Sequence, residues 1–214
     1  MKPILFLDFD NTITKGDVLD RVIERYSASE QWREWEAAWT QGRISTHECL
    51  ERQMGDLRVA RDDLMAFMDT IELDPGFAKM VAWARANDVE LRIVSDNFVP
   101  LIEEILRHRG IAGVPVFANA LGFRGDRVEA SFPFRDPACP RCAHCKAVHL
   151  RPITDRSRVY VGDGLSDLCP ALIADRVFAK DCLARELAKR GKAFEPFADL
   201  GAVLQAVRKR FESA

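Results

Sequence analysis

The order of hydrophobic and polar positions divides the chain into three stretches. Residues 4–7, "ILFL", are apolar without a break and lead into "DFDNTIT", which predicts a short buried strand ending in polar residues. From about Asp17 to Thr70 the apolar positions recur at helical spacing in "VLDRVIERY", "SEQWREWEAAW", "THECLERQM" and "RDDLMAFMDTI", separated by Gly42, Gly55 and polar residues. That pattern predicts four helices in a row, and "ELDPGF" breaks it with Pro75 and Gly76. The remainder alternates. "GFAKMVAWARAND" reads as a helix, "VELRIVS" as a strand, "FVPLIEEILRHRG" as a helix stopped by Gly110, "VPVFANAL" as a strand and "GFRGDRVEAS" as a hairpin. "CKAVHLRPIT" predicts a short helix cut by Pro152, "SRVYVGDG" a strand, "SDLCPALIA" a helix and "DRVFAK" a short strand, with two further helices after it.

Alternating βα units imply an α/β fold, a Rossmann-like parallel sheet with helices on both faces. The all-helical stretch interrupts the first βα connection. The expected organisation is therefore a core of residues 1–14 and 75–214 with a helical cap, residues 15–74, inserted into it. The two crossings, "TKG" at 14–16 and "LDPG" at 73–76, each contain glycine and are expected to hinge that cap. A net charge of −2 leaves no broad basic field, so nucleic acid is not an expected partner. The apolar runs are far too short for a membrane span. "MKPILFLDFD" does not read as a secretory signal, so the expectation is a cytoplasmic protein, a monomer or homodimer, with its six cysteines reduced.

The candidate chemistry lies at the strand ends. Residues i and i+2 of a strand share a face, so Asp8 and Asp10 project together where the first strand ends, with Phe9 packed the other way. "VYVGDGLSD" ends another strand in a second acidic pair, Asp163 and Asp167. In open α/β sheets ligands bind at that edge. Gathering these carboxylates there is costly unless a cation sits among them, and oxygen donors select a hard ion such as Mg²⁺. "RIVSDNF" ends a third strand in Ser95, which is placed to hold a phosphate oxygen at a helix start or simply to cap that helix. Lys146 opens a helix before the strand that carries Asp163. Its ammonium could neutralise nucleophile and phosphate, or it is an ordinary surface lysine.

"DFDNT", "VSDN", the lysine and "GDGLSD" stand in the order and sheet positions of the haloacid dehalogenase (HAD) superfamily of aspartate-nucleophile phosphatases, which the chain resembles over nearly its whole length. The resemblance implies a Mg²⁺-dependent phosphomonoesterase acting on a small phosphorylated metabolite. It implies that Asp8 attacks phosphorus and becomes an aspartyl phosphate, while Asp10 protonates the leaving oxygen and later activates water. Thr12 and Ser95, with the adjoining Asp96 and Asn97, would bind the phosphate and substrate, and Lys146 would screen charge. Asp163 would join Asp8 and the Asp10 carbonyl on Mg²⁺, with Asp167 supporting. A phosphotransferase or mutase using the same aspartyl phosphate, or a zinc- or thiol-based binding module, are the competing functions.

Within the superfamily the chain is similar to the branch of phosphoserine phosphatases, methionine-salvage methylthio-ketopentenyl phosphate phosphatases and phosphoethanolamine/phosphocholine phosphatases. "GDGLSDLCPALIADRVFAKDCLARE" resembles the last two groups most. Where phosphoserine phosphatases place a substrate-binding glutamate stands Asp17, which is equally a helix cap. Where they place a cap arginine stands Glu51, with Arg52 beside it as the candidate substrate-binding residue. Trp32, Trp35 and Trp39 form one helical stripe, either core packing or an aromatic wall for a cationic ester. "CPRCAHC" offers Cys139, Cys142 and Cys145, with His144 and His149 nearby, as a possible structural Zn²⁺ site, a redox set or inert thiols. Cys49, Cys169 and Cys182 read as small buried apolar residues.

Overall fold

The computed structural model describes residues 2–212. Its central strand β1 (Ile4–Leu7) is buried throughout and pairs in parallel with β2 (Glu90–Phe98) and β5 (Arg158–Gly162). Beyond β2 lie β3 (Val116–Arg124) and β4 (Arg127–Ser131). Beyond β5 lie β6 (Arg176–Ala179) and the two-residue β7 (Glu195–Pro196). The sheet order is β4-β3-β2-β1-β5-β6-β7, parallel except for the β3–β4 hairpin at one edge. β7 is too short to carry a period and has no sequence signature.

Side-chain alternation along β1 feeds two cores. Leu5 and Leu7 join a cluster containing Phe77 and Met80 of α5 (Pro75–Ala86), Ile102 and Ile105 of α6 (Val99–His108) and Val203 of α9 (Leu200–Glu212). Ile4 and Phe6 join the opposite cluster, with Ala171 of α7 (Leu168–Ile173) and Leu183 and Leu187 of α8 (Asp181–Lys189). Helices therefore cover both faces, which is what leaves parallel strands apolar on both sides.

Residues between β1 and α5 form α1 (Val18–Tyr26), α2 (Trp32–Thr40), α3 (Thr46–Asp56) and α4 (Arg61–Met68), the four helices that the apolar spacing predicts. Asp17 caps α1 by accepting from the Asp20 amide, and Ser45 and Glu48 close a capping box on α3. The buried side chains Val22, Leu50, Met54 and Leu64 continue the first core cluster without a gap. The two chain crossings run side by side. Thr14 bridges Leu73, the Lys15 amide donates to Glu72 O at 2.9 Å, and the Asp74 amide donates to Ile13 O at 2.8 Å. Gly16 has φ +97°, which suits glycine alone. Gly76 serves packing instead, because a Cβ there would collide with the backbone of Leu200 and Gly201.

Candidate active site

Regular pairing of β1 stops at Leu7, and Asp8 makes one more ladder bond, its amide donating to Val161 O at 2.9 Å. The chain then turns sharply. Phe9 O accepts from the amides of Ile13 and Thr14, and Asn11 takes a left-handed conformation with φ +54°. Asp8 and Asp10 thereby reach the same cavity while Phe9 is fully buried. The Asp10 carboxylate accepts from the Val18 amide at 2.9 Å and from Asn97 Nδ2 at 3.0 and 3.1 Å. Asn97 is thus brought against Asp10.

Lys146 opens a single 3₁₀ turn and is buried. Its Nζ donates to Asp8 Oδ1 and Asp167 Oδ1, both at 2.7 Å, and to Ser166 Oγ at 3.0 Å. Asp167 also accepts from the Tyr160 hydroxyl at 2.6 Å and from the amides of Asp163 and Gly164 at 3.0 and 2.9 Å. Gly162 leaves room for this carboxylate, since a Cβ there would lie 2.5 Å from Asp167 Oδ2. The Thr12 hydroxyl, expected at the phosphate, donates instead to Asp163 Oδ1 at 2.8 Å.

Asp8, Asp163 and Asp167 each offer an oxygen within 4.8 Å of the others. Burial, then Asp167, Asp163 and Asp10, raise the Asp8 carboxyl well above the usual range, against Lys146. Burial and Asp167 raise Asp163 to about 6. Burial and Asp17 raise Asp10. Burial alone would lower Lys146, but Asp167, Asp8 and Asp96 outweigh it and keep the ammonium charged. Three close carboxylates facing one ammonium leave negative charge uncompensated. A set made only of hard oxygens fits Mg²⁺.

Ser95 is buried on the cavity wall, and its Oγ accepts from the Asn97 amide at 3.1 Å. It does not start a helix: β2 continues through an irregularity between Val94 and Phe98, and α6 begins at Val99. Asp96 also lines the cavity and accepts from the His144 amide at 2.9 Å.

The cavity, of about 290 Å³, opens from this floor up into α1–α3. Its roof carries Leu19, Ile23, Trp39, Cys49 and Leu50 among Asp17, Asp20, Glu36, Thr46 and Gln53. Burial and Asp20 raise Asp17 to about 6, and burial also raises Asp20 and Glu36. Gln53 Nε2 donates to Glu36 at 3.1 Å, and Trp39 Nε1 to Thr46 Oγ1 at 3.0 Å. Lys146, at the floor, is the one basic residue among those lining the cavity. Arg52 and Glu51 are exposed on the outer side of α3, and Gln53 faces inward in their place. Of the tryptophan stripe only Trp39 lines the cavity, so no aromatic wall forms there.

The zinc set does not converge. Cys139 and Cys142 lie together with sulfurs 3.3 Å apart, but the buried Cys145 thiol turns to Asp136 at 3.9 Å. His144 and His149 pair with each other, Nε2 to Nε2 at 2.8 Å, between Phe117 and Phe134. Burial lowers them to about 2 and about 4, so both rings stay neutral. Among the described residues the acidic triad is the one group whose donor atoms approach one another closely enough for a metal. Cys49 is buried as expected, whereas Cys169 is exposed and Cys182 half-buried. Sequence reading missed Gly162, Tyr160, Ser166, Asp20, Glu36 and Gln53. Only Gly162 had a signal, the "GDG" that surrounds Asp163.

A family model described as "Putative Phosphatase" matches residues 3–184. A 2-hydroxy-3-keto-5-methylthiopentenyl-1-phosphate phosphatase of Brevibacillus brevis is 32% identical over 222 residues, covering 97% of each chain. One of the same name from Geobacillus kaustophilus is 30% identical, covering 96% of each. A solved substrate complex of a phosphoserine phosphatase has the same fold, with a TM-score of 0.73 over 96% of this chain and 98% of that one at 18% identity. No helix among the described residues is long and apolar enough to cross a membrane.

Proposed function

The chain belongs to this phosphatase family of the HAD superfamily, a family of hydrolases, and from that premise we propose that it cleaves a small phosphomonoester at the Asp8 floor through an aspartyl phosphate. The observation that carries the reading is the buried Asp8–Lys146–Asp167 bridge inside a carboxylate triad that opens on a cavity.

Asp8 needs no base, only ionisation, and the Lys146 ammonium at 2.7 Å favours that form. Asp8, the Asp10 carbonyl and Asp163 would hold Mg²⁺, with Asp167 fixing Lys146 and the Asp163 amide beside them. When bound, the ion supplies positive charge that lowers repulsion between Asp8 and a phosphate dianion. Thr12, by its bond to Asp163, orients a ligand carboxylate. Ser95 is left to meet phosphate oxygens. Asp10 is the proton carrier: burial raises its pKa, so it can arrive protonated at the leaving oxygen, and Asn97 fixes its orientation. Residues 15–74 serve as the cap, moving on the paired crossings at 14–16 and 73–76 to exclude water during transfer.

The substrate body meets the roof. Its apolar wall and the names of the relatives support a methylthio-substituted keto phosphate of the methionine-salvage type, its single hydroxyl donating to a roof carboxylate. The three roof carboxylates favour a second reading, a cationic ester such as phosphoethanolamine or phosphocholine. A carboxylate-bearing ester such as phosphoserine would find no basic residue on the roof to pair its carboxylate. The test is Mg²⁺-dependent phosphate release from these four esters and an aryl phosphate. Asp8→Asn should lower release by about 10³-fold or more. Release that survives in Asp8→Asn would refute the nucleophile assignment.

A further inference from the structure

Three thiols gather outside the cavity, where the phosphate chemistry does not use them. The sulfurs of Cys139 and Cys142 stand 3.3 Å apart, and Cys169 lies beside Cys142. Cys139 and Cys142 are half-exposed and Cys169 exposed, so solutes can reach all three. A disulfide needs a sulfur separation of about 2.05 Å, so the Cys139–Cys142 pair has little more than about 1 Å to close.

The loop holding this pair also joins two parts of the site. Between the two cysteines, Arg141 O accepts from the Thr46 amide at 2.9 Å. Thr46 opens α3, lines the roof of the cavity and accepts from Trp39 Nε1. On the other side the loop runs through Cys145 directly into Lys146. The loop therefore clasps the helical segment while delivering the buried lysine.

We infer that Cys139 and Cys142 are a modification site, a dithiol that a low-molecular-weight disulfide converts reversibly into an intramolecular disulfide, and that the dithiol form is the one in which Arg141 holds Thr46. One thiolate of the pair attacks a sulfur of the external disulfide, breaking its S–S bond and releasing one small thiolate. The second, losing its proton, attacks the protein-bound sulfur and expels the other small thiolate. The two protein sulfurs lose two electrons, and the external disulfide is reduced to two thiols. Closing the pair reshapes the backbone at Arg141 and frees Thr46, which loosens the roof over the substrate.

The test is incubation of the whole protein with oxidised glutathione, alkylation of the remaining thiols and peptide mapping by mass spectrometry. The expected product is a Cys139–Cys142 linkage that dithiothreitol reverses, with KM for an aryl phosphate at least threefold higher in the oxidised form. Cys139→Ser should keep the KM of the reduced enzyme and lose the response. The mapping reads the linkage in the wild-type protein without any variant and without phosphatase activity, so it stands or falls separately from the proposed reaction. Glutathione attached only at Cys169, no linkage at all, or a linkage that leaves KM unchanged would each overturn the inference.

Discussion

The floor and the roof of the cavity both carry carboxylates, but they hold them differently. On the floor, Asp167 takes donors from Lys146, Tyr160 and two backbone amides, Asp163 is tied by Thr12, and Asp8 by Lys146. Asp8 and Asp163 sit at strand ends fixed by the sheet, and Asp167 and Lys146 on short 3₁₀ turns beside them. On the roof, Asp17, Asp20 and Glu36 come from helices and the turn before them, have no basic residue beside them on the roof, and share little more than a helix cap and the Gln53 amide. Preorganised charge belongs where bonds change, because misplacement there is expensive. Adjustable charge belongs where a substrate body has only to be recognised.

That contrast is sharpened most by Gly162→Ala. Its new Cβ pushes directly on the Asp167 carboxylate, so phosphate release should fall by about 10²-fold. Overpacking should also cost about 1–3 kcal/mol in thermal or denaturant unfolding. On the roof, Glu36→Gln keeps the shape and removes one charge. KM for a cationic ester should rise roughly three- to tenfold while KM for an uncharged-body ester changes less, since tenfold in affinity corresponds to about 1.4 kcal/mol. A uniform change across esters would break the distinction between recognition and chemistry.

A smaller effect should come from pH. The Asp17 carboxyl titrates at about 6 in the fold against 3.8 for its ordinary value, so the stability it contributes is full below about pH 4 and lost as pH rises through about 6. Asp17→Asn keeps the cap on α1 and removes the titration. Between pH 4 and 7 the metal-free variant should lose a few degrees less in Tm than the wild type. The smallest effect belongs to Arg52→Ala, which alters only an exposed side chain and should leave KM within about twofold for every ester.

Arg52 also shows where reading letters stops working. Consecutive helical residues differ by about 100° in direction, so an alignment off by one position trades a residue facing solvent for one facing the cavity, here Gln53. The floor was legible because strand ends obey a simple rule: Asp8, Asp10 and Asp163 face the cavity, as alternation and spacing suggest, and Lys146 arrives from its separate turn. Asp20 and Glu36 were not legible, since acidic residues on amphipathic helices usually do no more than solvate a surface. Thr12 was placed at the phosphate by resemblance alone, and its bond to Asp163 spans 151 positions, a relation only the fold creates. The zinc alternative for the cysteines finds no support for a similar reason. His144 and His149 are near the cysteines in sequence, yet each found a better partner in the other inside an aromatic pocket.

The paired crossings at Thr14 and Leu73 carry one more implication. Because the chain leaves the sheet and returns to it through adjacent hydrogen-bonded residues, both ends of the inserted segment meet the core at one place. A segment of another length could be joined between those two residues without moving β1 or α5, provided it again supplied the amide that Val18 gives to Asp10. The doorway is thus a splice point, where the segment above the cavity can be exchanged while the strand ends beneath it keep their places.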